Sequence, residues 1–61
     1  MKVKEIRNKI GLTQGELAVK IGVNQNTVSQ WETGERVPRA DKLIQLAEIL
    51  GCTVDELLKD A

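Results

Sequence analysis

A chain of 61 residues has room for one small domain, which needs closely packed helices, a covalent or metal staple, or a partner for stability. One cysteine and no histidine exclude an intramolecular disulfide and leave no plausible zinc site. The formal net charge is zero, but residues 1–39 carry seven basic and four acidic side chains, whereas residues 40–61 carry two and five. Such a bipolar chain can turn its basic half toward an anionic partner; an ordinary mixed surface is the alternative explanation.

The same composition argues against several classes of protein. No apolar run approaches the ~20 residues that span a bilayer. Residues 1–10 alternate charged and apolar side chains, unlike a signal peptide, so we expect a soluble, cytoplasmic protein. Without histidine, and with scattered carboxylates, no paired acid and base or activated nucleophile is visible. We therefore expect no enzymatic activity, no metal, no cofactor, no small-molecule substrate and no membrane partner.

The spacing of apolar residues predicts an all-α fold, a compact five-helix bundle without strands that forms a single domain over residues 1–61. The predicted helices cover approximately residues 2–10, 14–21, 25–33, 40–50 and 54–59. In the first, Val3, Ile6 and Ile10 are spaced to form one apolar stripe, and Gly11 is a typical C-terminal glycine.

The second and third predicted helices form the most informative stretch, residues 13–34. Thr13 and Glu16 have the spacing of a capping box at the start of the second helix, and Asn24 is a good N-cap for the third. Only Gly22 and Val23 separate the two helices. Because so short a joint forces a steep crossing angle, these residues predict a helix-turn-helix.

The third helix has two distinct sides at roughly 100° per residue. Val28 and Trp31 fall on one side, where the only aromatic residue is more plausibly a core anchor than a stacking platform. The opposite side, called the amide face here, carries no charge and consists of Gln25, Asn26, Ser29, Gln30 and Thr33. Amides and hydroxyls can pair with base edges in the major groove of DNA; the alternative is a merely polar, solvated face.

The last two predicted helices are apolar on their inner sides. In the fourth helix the inward residues are expected to be Leu43, Leu46, Ala47 and Leu50. Thr53 and Glu56 form a second capping box for the fifth helix. Cys52, between the two helices, is expected to fill an apolar slot rather than to act as a redox sensor.

The stretch LTQGELAVKIGVNQNTVSQWETGERVP resembles the lambda/434-type phage repressor and Cro family, the XRE-type helix-turn-helix domains. The matching elements are Leu12-Thr13-Gln14, Glu16-Leu17-Ala18, Ile21-Gly22-Val23, Val28-Ser29, Trp31-Glu32, Gly34 and Pro38, followed by Leu46-Ala47, Leu50-Gly51 and Leu57-Leu58. The match covers nearly the whole chain. Glu35 departs from it, since many relatives carry a cation there, which suggests moderate affinity.

The resemblance implies sequence-specific binding of double-stranded DNA by a transcriptional regulator, most simply a repressor. It implies that the base-contacting residues are Gln25, Asn26, Gln30 and the nearby Ser29. It implies that the phosphate-contacting residues are Gln14, Thr33, Arg36 and Arg39. Arg7 and Glu32 match a structural salt bridge that joins the first helix to the end of the third.

Two questions stay open at this level. The first is assembly: Val54 and Leu58, with Ile44 or Ile49, are candidates for a weak homodimer contact on a palindromic operator, or they only complete the monomer core. The second is the class of partner. An antitoxin of a toxin–antitoxin pair, or another protein-interaction module, is the alternative to a DNA-binding regulator.

Overall fold

The computed structural model describes residues 1–59, which form five α-helices and no strand. The helices are α1 (Val3–Lys9), α2 (Gln14–Ile21), α3 (Gln25–Thr33), α4 (Ala40–Leu50) and α5 (Val54–Leu58). The predicted all-α class is confirmed, and the predicted bounds of α2, α3 and α4 agree with the observed ones. The predicted first helix was one residue too long at each end, and the fifth was one residue too long at its C-terminus. The end of the predicted domain, Asp60 and Ala61, lies outside the described residues.

Three of the helices begin at the N-caps that the sequence predicts. The Thr13 hydroxyl accepts from the backbone N–H of Glu16 at 3.0 Å, while the Glu16 carboxylate accepts from the backbone N–H of Thr13 at 2.8 Å. Thr53 and Glu56 repeat this capping box at α5. Asn24 caps α3 by accepting from the backbone N–H of Thr27 at 2.9 Å. These local contacts satisfy N–H groups that a helix start leaves free, which is why the starts were predictable.

The core gathers apolar side chains from all five helices. Its fully buried members are Val3, Leu17, Val28, Leu46 and Leu57. Trp31, at 5% exposure, belongs to the same cluster, so its expected role as a core anchor is confirmed. Burial of one such side chain contributes about 1.5–3 kcal/mol.

The apolar stripe predicted for α1 is wrong at its C-terminal end. Ile10 is 47% exposed because α1 ends at Lys9, and Ile10 is the C-cap with φ −92° and ψ 1°, outside the helical spiral. The helix instead buries Arg7, which is only 7% exposed. The spacing of apolar residues does not predict a charged residue on the buried side of α1.

The joint between α2 and α3 holds the two helices at a fixed angle. Gly22 has φ +83°, a left-handed conformation that favours glycine. The backbone N–H groups of Gly22 and Val23 both donate to the carbonyl of Ala18, at 2.8 and 3.0 Å. Val23 is half-buried and packs against the core, as expected for a residue filling the angle between the helices.

The N-terminal segment is attached to the last helix. The backbone N–H of Lys2 donates to the carbonyl of Leu57 at 2.9 Å. Cys52, in the turn between α4 and α5, packs half-buried against the core. Burial raises the pKa of its thiol, and the neighbouring Glu56 carboxylate raises it further, so the unreactive protonated form is favoured.

Candidate nucleic-acid interface

The amide face of α3 lies toward solvent, opposite the buried Val28 and Trp31. Its exposed members are Gln25, Asn26 and Thr33, and its half-buried members are Ser29 and Gln30. The helix has no acidic residue in its first turn and no basic residue in its last, so no charge complements its dipole. The helix α3, which presents this polar, uncharged surface, therefore depends for its stability on packing and on the Asn24 cap.

A buried ion pair joins α1 to the C-terminal turn of α3. Arg7 Nε donates to Glu32 Oε2 at 2.6 Å, and Arg7 Nη2 donates to Glu32 Oε1 at 3.2 Å. The two side chains are only 8% and 3% exposed. Arg7 Nη1 also donates to the carbonyl of Leu12 at 2.7 Å and to Asn8 Oδ1 at 3.1 Å. The structure thus places this pair in bidentate contact, with Nη1 of Arg7 engaged by two further acceptors.

Hydrogen bonds continue from this pair to the surface. Gln14 Nε2 donates to Glu32 Oε1 at 2.8 Å. Gln25 Nε2 donates to Gln14 Oε1 at 3.4 Å. Arg7, Glu32, Gln14 and Gln25, called the polar network here, therefore connect α1, α2 and α3. Sequence reasoning assigned Gln14 and Gln25 to different contacts and missed their link, which depends on how α2 packs across α3.

The segment after α3 carries cations around a shallow cleft. Its lining includes the cationic side chains Arg36, Arg39 and Lys42 and the buried apolar residues Trp31 and Pro38. This basic cleft brings the two predicted arginines together. It also adds Lys42, from the first turn of α4, which sequence reasoning did not assign to the interface.

The contacts of these cations leave the arginines largely accessible. Arg39 Nε lies 3.7 Å from Asp41 Oδ1, with the two side chains 81% and 59% exposed, so this ion pair is weak. Lys42 Nζ donates to the carbonyl of Ile21 at 3.4 Å, at the C-terminus of α2. Arg36 is exposed, and its backbone N–H donates to the Gln30 carbonyl at 3.2 Å.

Thr33 lies at the C-terminal end of α3, where its side chain already makes local hydrogen bonds. Its hydroxyl donates to the Gln30 carbonyl at 3.2 Å and accepts from the backbone N–H of Glu35 at 3.4 Å. The side chain is exposed but already has local partners. Its predicted phosphate contact therefore competes with a helix-terminating role.

The candidate dimer residues lie on α4 and α5 and differ in exposure. Ile44 is 53% exposed and Leu58 is 45% exposed. Val54 is half-buried, and Ile49 packs against the core. Of the four, Ile44 and Leu58 leave the most apolar surface uncovered.

Two further observations concern other kinds of site. Within residues 1–59 no group of three histidine, cysteine or carboxylate side chains is arranged to hold a metal ion. None of the helices formed by these residues has the length and hydropathy of a membrane span.

Comparisons with known proteins found a family and several relatives with similar sequences. A family model described as helix-turn-helix covers residues 3–57. The repressor protein C2 of Salmonella phage P22 is 34% identical over 58 residues, which is 95% of this chain and 27% of that protein. The transcriptional activator BcrR of Enterococcus faecalis is 33% identical over 57 residues, 93% of this chain and 28% of its own length.

A third relative, the transcriptional regulator ImmR of Bacillus subtilis strain 168, is 37% identical over 57 residues, 93% of this chain and 45% of its own length. The chain therefore spans less than half the length of each of these three relatives. No solved structure gave a significant match. With a family match over residues 3–57 and relatives named as phage repressors and regulators, the chain belongs to the helix-turn-helix family, in the XRE-type group that its sequence resembles.

Proposed function

We propose that this chain binds double-stranded DNA sequence-specifically, with α3 in the major groove, and regulates transcription. The observation that carries the proposal is the amide face: an exposed helix surface of amides and hydroxyls, without charge, backed by a buried apolar side. Asparagine, serine and threonine are mediocre helix formers, so helix stability does not explain their presence. Base recognition explains their presence, since side-chain amides and hydroxyls donate to and accept from base edges.

The contacts divide into two kinds. Base edges are contacted by Gln25, Asn26, Ser29 and Gln30. Phosphates are contacted by Gln14, Thr33, Arg36 and Arg39, and we add Lys42 because it borders the same basic cleft. Arg36 and Arg39 are exposed and lie just beyond α3, where the backbone of a bound duplex would run.

Selection from random duplex DNA tests this function. The purified protein is incubated with a randomised library, and the retained duplexes are sequenced over several rounds. We expect enrichment of one site with an adenine essential to each half, because the amide face offers glutamine and asparagine but no arginine, the usual partner of guanine. Retention without enrichment of any sequence would contradict specific binding.

We further propose that two copies bind one palindromic operator. The nine residues of α3 span only about three or four base pairs, too few to specify one site. Helix-turn-helix proteins reach the required length by dimers whose recognition helices lie about 34 Å apart. The exposed Ile44 and Leu58, together with the half-buried Val54, supply apolar surface for a symmetric contact. Because that surface is small, the dimer is weak in solution and is stabilised by DNA.

Analytical ultracentrifugation with and without a selected palindromic duplex decides the stoichiometry. We expect monomer at low concentration without DNA and a complex of two chains per duplex with it. Leu58→Glu should reduce formation of that complex, whereas Val19→Glu, a matched change at an 82% exposed position on α2, should not. Strict one-to-one binding at saturating protein would exclude the dimer.

The alternative of an antitoxin or protein-interaction module is not favoured by the comparisons, whose matches are named as repressors, activators and regulators. We propose a non-enzymatic protein that acts in the cytoplasm, where its DNA is found. Both a repressor and an activator of transcription are among the relatives.

A further inference from the structure

The polar network has a fixed direction of hydrogen bonding. A side-chain amide can usually be turned over, which exchanges its oxygen and nitrogen. Gln14 is not free to do so, because its partner is a carboxylate, which only accepts hydrogen bonds when ionised. Both carboxylate oxygens of Glu32 act as acceptors, since Oε2 accepts from Arg7 Nε and Oε1 accepts from Arg7 Nη2, and the side chain is 3% exposed. The end of Gln14 that lies 2.8 Å from Glu32 must therefore be the donor Nε2.

This constraint passes to the next amide. With Nε2 directed to Glu32, Gln14 presents Oε1 to α3, and Oε1 can only accept. Gln25 must then offer its own Nε2, which lies 3.4 Å from Gln14 Oε1. One N–H of Gln25 is used in this way. Its second N–H and its Oε1 remain for a base, in an order along the helix that cannot be exchanged without breaking the contact to Gln14.

We propose that Glu32 is a positioning residue for base recognition: acting through Gln14, it sets the order in which Gln25 presents donor and acceptor to the major groove. The inference rests on the proposed function, since it concerns how α3 contacts bases. Adenine offers an acceptor, N7, beside a donor, N6–H. For a given position of Gln25 in the groove, its amide can pair with both groups only if its N–H faces N7 and its Oε1 faces N6–H. Arg7 and Glu32 lie 25 residues apart in sequence. Their buried ion pair thereby contributes to specificity as well as to folding.

Two substitutions of Gln14 test the inference while leaving Arg7 and Glu32 in place. Gln14→Met removes both hydrogen bonds at similar length, so Gln25 becomes free to turn over. Gln14→Lys supplies donors only, keeps a favourable contact with Glu32, and requires Gln25 to accept with Oε1. Gln45→Met, on the exposed side of α4, is the matched control for the loss of an amide.

The readout is the base preference at each position of the selected site, measured by sequencing and by competition binding. A good bidentate contact discriminates by about 5- to 150-fold against the wrong base. We expect Gln14→Met to reduce this discrimination at least about fivefold at the base pair that Gln25 contacts, and to leave the ranking elsewhere unchanged. Gln14→Lys should change which base pair is preferred there. Gln45→Met should alter nothing.

A double-mutant comparison separates this effect from loss of a phosphate contact. Loss of a phosphate contact weakens binding to all sequences alike. In a Gln25→Ala background, Gln14→Met should cause no further change in base preference, because the amide that it orients is gone. A Gln14→Met protein that keeps its full preference at that base pair would overturn the inference. So would a Gln14→Lys protein with the original preferred base.

The failure of the proposed function is distinguishable from these outcomes. If the wild-type chain enriches no sequence, the DNA-binding proposal itself fails. If the wild-type chain enriches a site but the Gln14 variants share its preferences, only the positioning role of Glu32 fails. Circular dichroism of each variant shows whether the helical fold is kept.

Discussion

The helices α3 and α4 both bury one apolar side, yet their other sides have different chemistry. The outer side of α3 holds amides and hydroxyls, and the helix is tied to α1 and α2 by the buried Arg7–Glu32 pair. The outer side of α4 carries Asp41 and Glu48, and its inner side packs by apolar contact. The helix with the poorer intrinsic helix formers thus has the more elaborate polar support. The surface that we propose for recognition therefore depends for its stability on contacts elsewhere in the chain.

The largest effect is expected from breaking the ion pair. Arg7→Met or Glu32→Met alone leaves a buried charge without its partner and should lower the free energy of unfolding by about 3–5 kcal/mol. The double variant removes both charges and should recover most of that loss. Urea denaturation followed by circular dichroism measures all three. A double variant as unstable as the single ones would mean that packing, not charge, accounts for the loss.

The same double variant separates the effect of the ion pair on stability from its effect on base preference. It retains a folded α3 but deprives Gln14 of its carboxylate acceptor. We therefore expect recovered stability together with relaxed base preference at the position that Gln25 contacts. A stable double variant with unchanged preference would show that α3 recognises bases without help from the network.

A core substitution on α4 should give the opposite combination. Leu46 is fully buried, and Leu46→Ala should lower the free energy of unfolding by about 2–5 kcal/mol through the cavity that it leaves. Because Leu46 lies outside the polar network, the ranking of DNA sequences should be unchanged under conditions in which the variant is folded. A change in that ranking would show that packing of α4 also controls the orientation of α3.

Loss of a single base contact should have a smaller, local effect. Gln25→Ala should weaken binding to the selected site by about 1–3 kcal/mol and relax preference mainly at one base position. Gln45→Ala on α4 is the control, since it removes an exposed glutamine from the other helix. Equal loss for every sequence would reassign Gln25 to a phosphate contact.

The exposed cations should affect all sequences alike. Arg36→Ala should weaken specific and non-specific binding about equally and reduce the slope of log affinity against log salt by roughly one unit. Titrations at several salt concentrations measure the slope, with Lys4→Ala, an exposed cation on α1, as control. An unchanged slope would remove Arg36 from the interface.

The smallest effect concerns the capping box of α2. The hydrogen bond from the Thr13 backbone, followed by that from its side chain, lowers the pKa of Glu16 below its ordinary value of 4.5. Because the folded pKa is the lower one, this contact stabilises the fold above about pH 4.5 and is lost as pH falls through the folded pKa. Glu16→Gln keeps an acceptor but does not titrate, so its stability should fall less steeply in acid than that of the wild type. A Glu16→Gln curve as steep in acid as that of the wild type would contradict this contribution.

The sequence predicted most of the fold because helix starts and apolar spacing are local properties. Thr13, Asn24 and Thr53 mark helix starts through contacts only three residues away. Ile10 was misplaced because the end of α1 depends on how the chain turns toward α2. The Arg7–Glu32 contact was expected only from the family resemblance, since no periodic pattern connects residues so far apart.

The composition of the proposed interface was predictable, but the hydrogen bonds within it were not. Helical geometry predicted an amide face on the side of α3 opposite Val28 and Trp31, and the structure has it there. The hydrogen bond between Gln14 and Gln25 joins two helices, and its direction depends on Glu32. Lys42 joins the basic cleft only because the loop after α3 brings the start of α4 back beside Trp31. Both features arise from packing between elements.

The short joint between α2 and α3 has a consequence for the kinetics of binding. Gly22 and Val23 are both anchored to the Ala18 carbonyl, and the amides of Gln14 and Gln25 are already in contact before any ligand arrives. Ordering a flexible side chain on association costs about 0.5–1.5 kcal/mol, and for these two much of that ordering already exists in the free chain. Partners that are preorganised in this way move little on association. The rate of complex formation should then follow diffusion and the attraction of the exposed arginines, rather than a slow rearrangement of the protein.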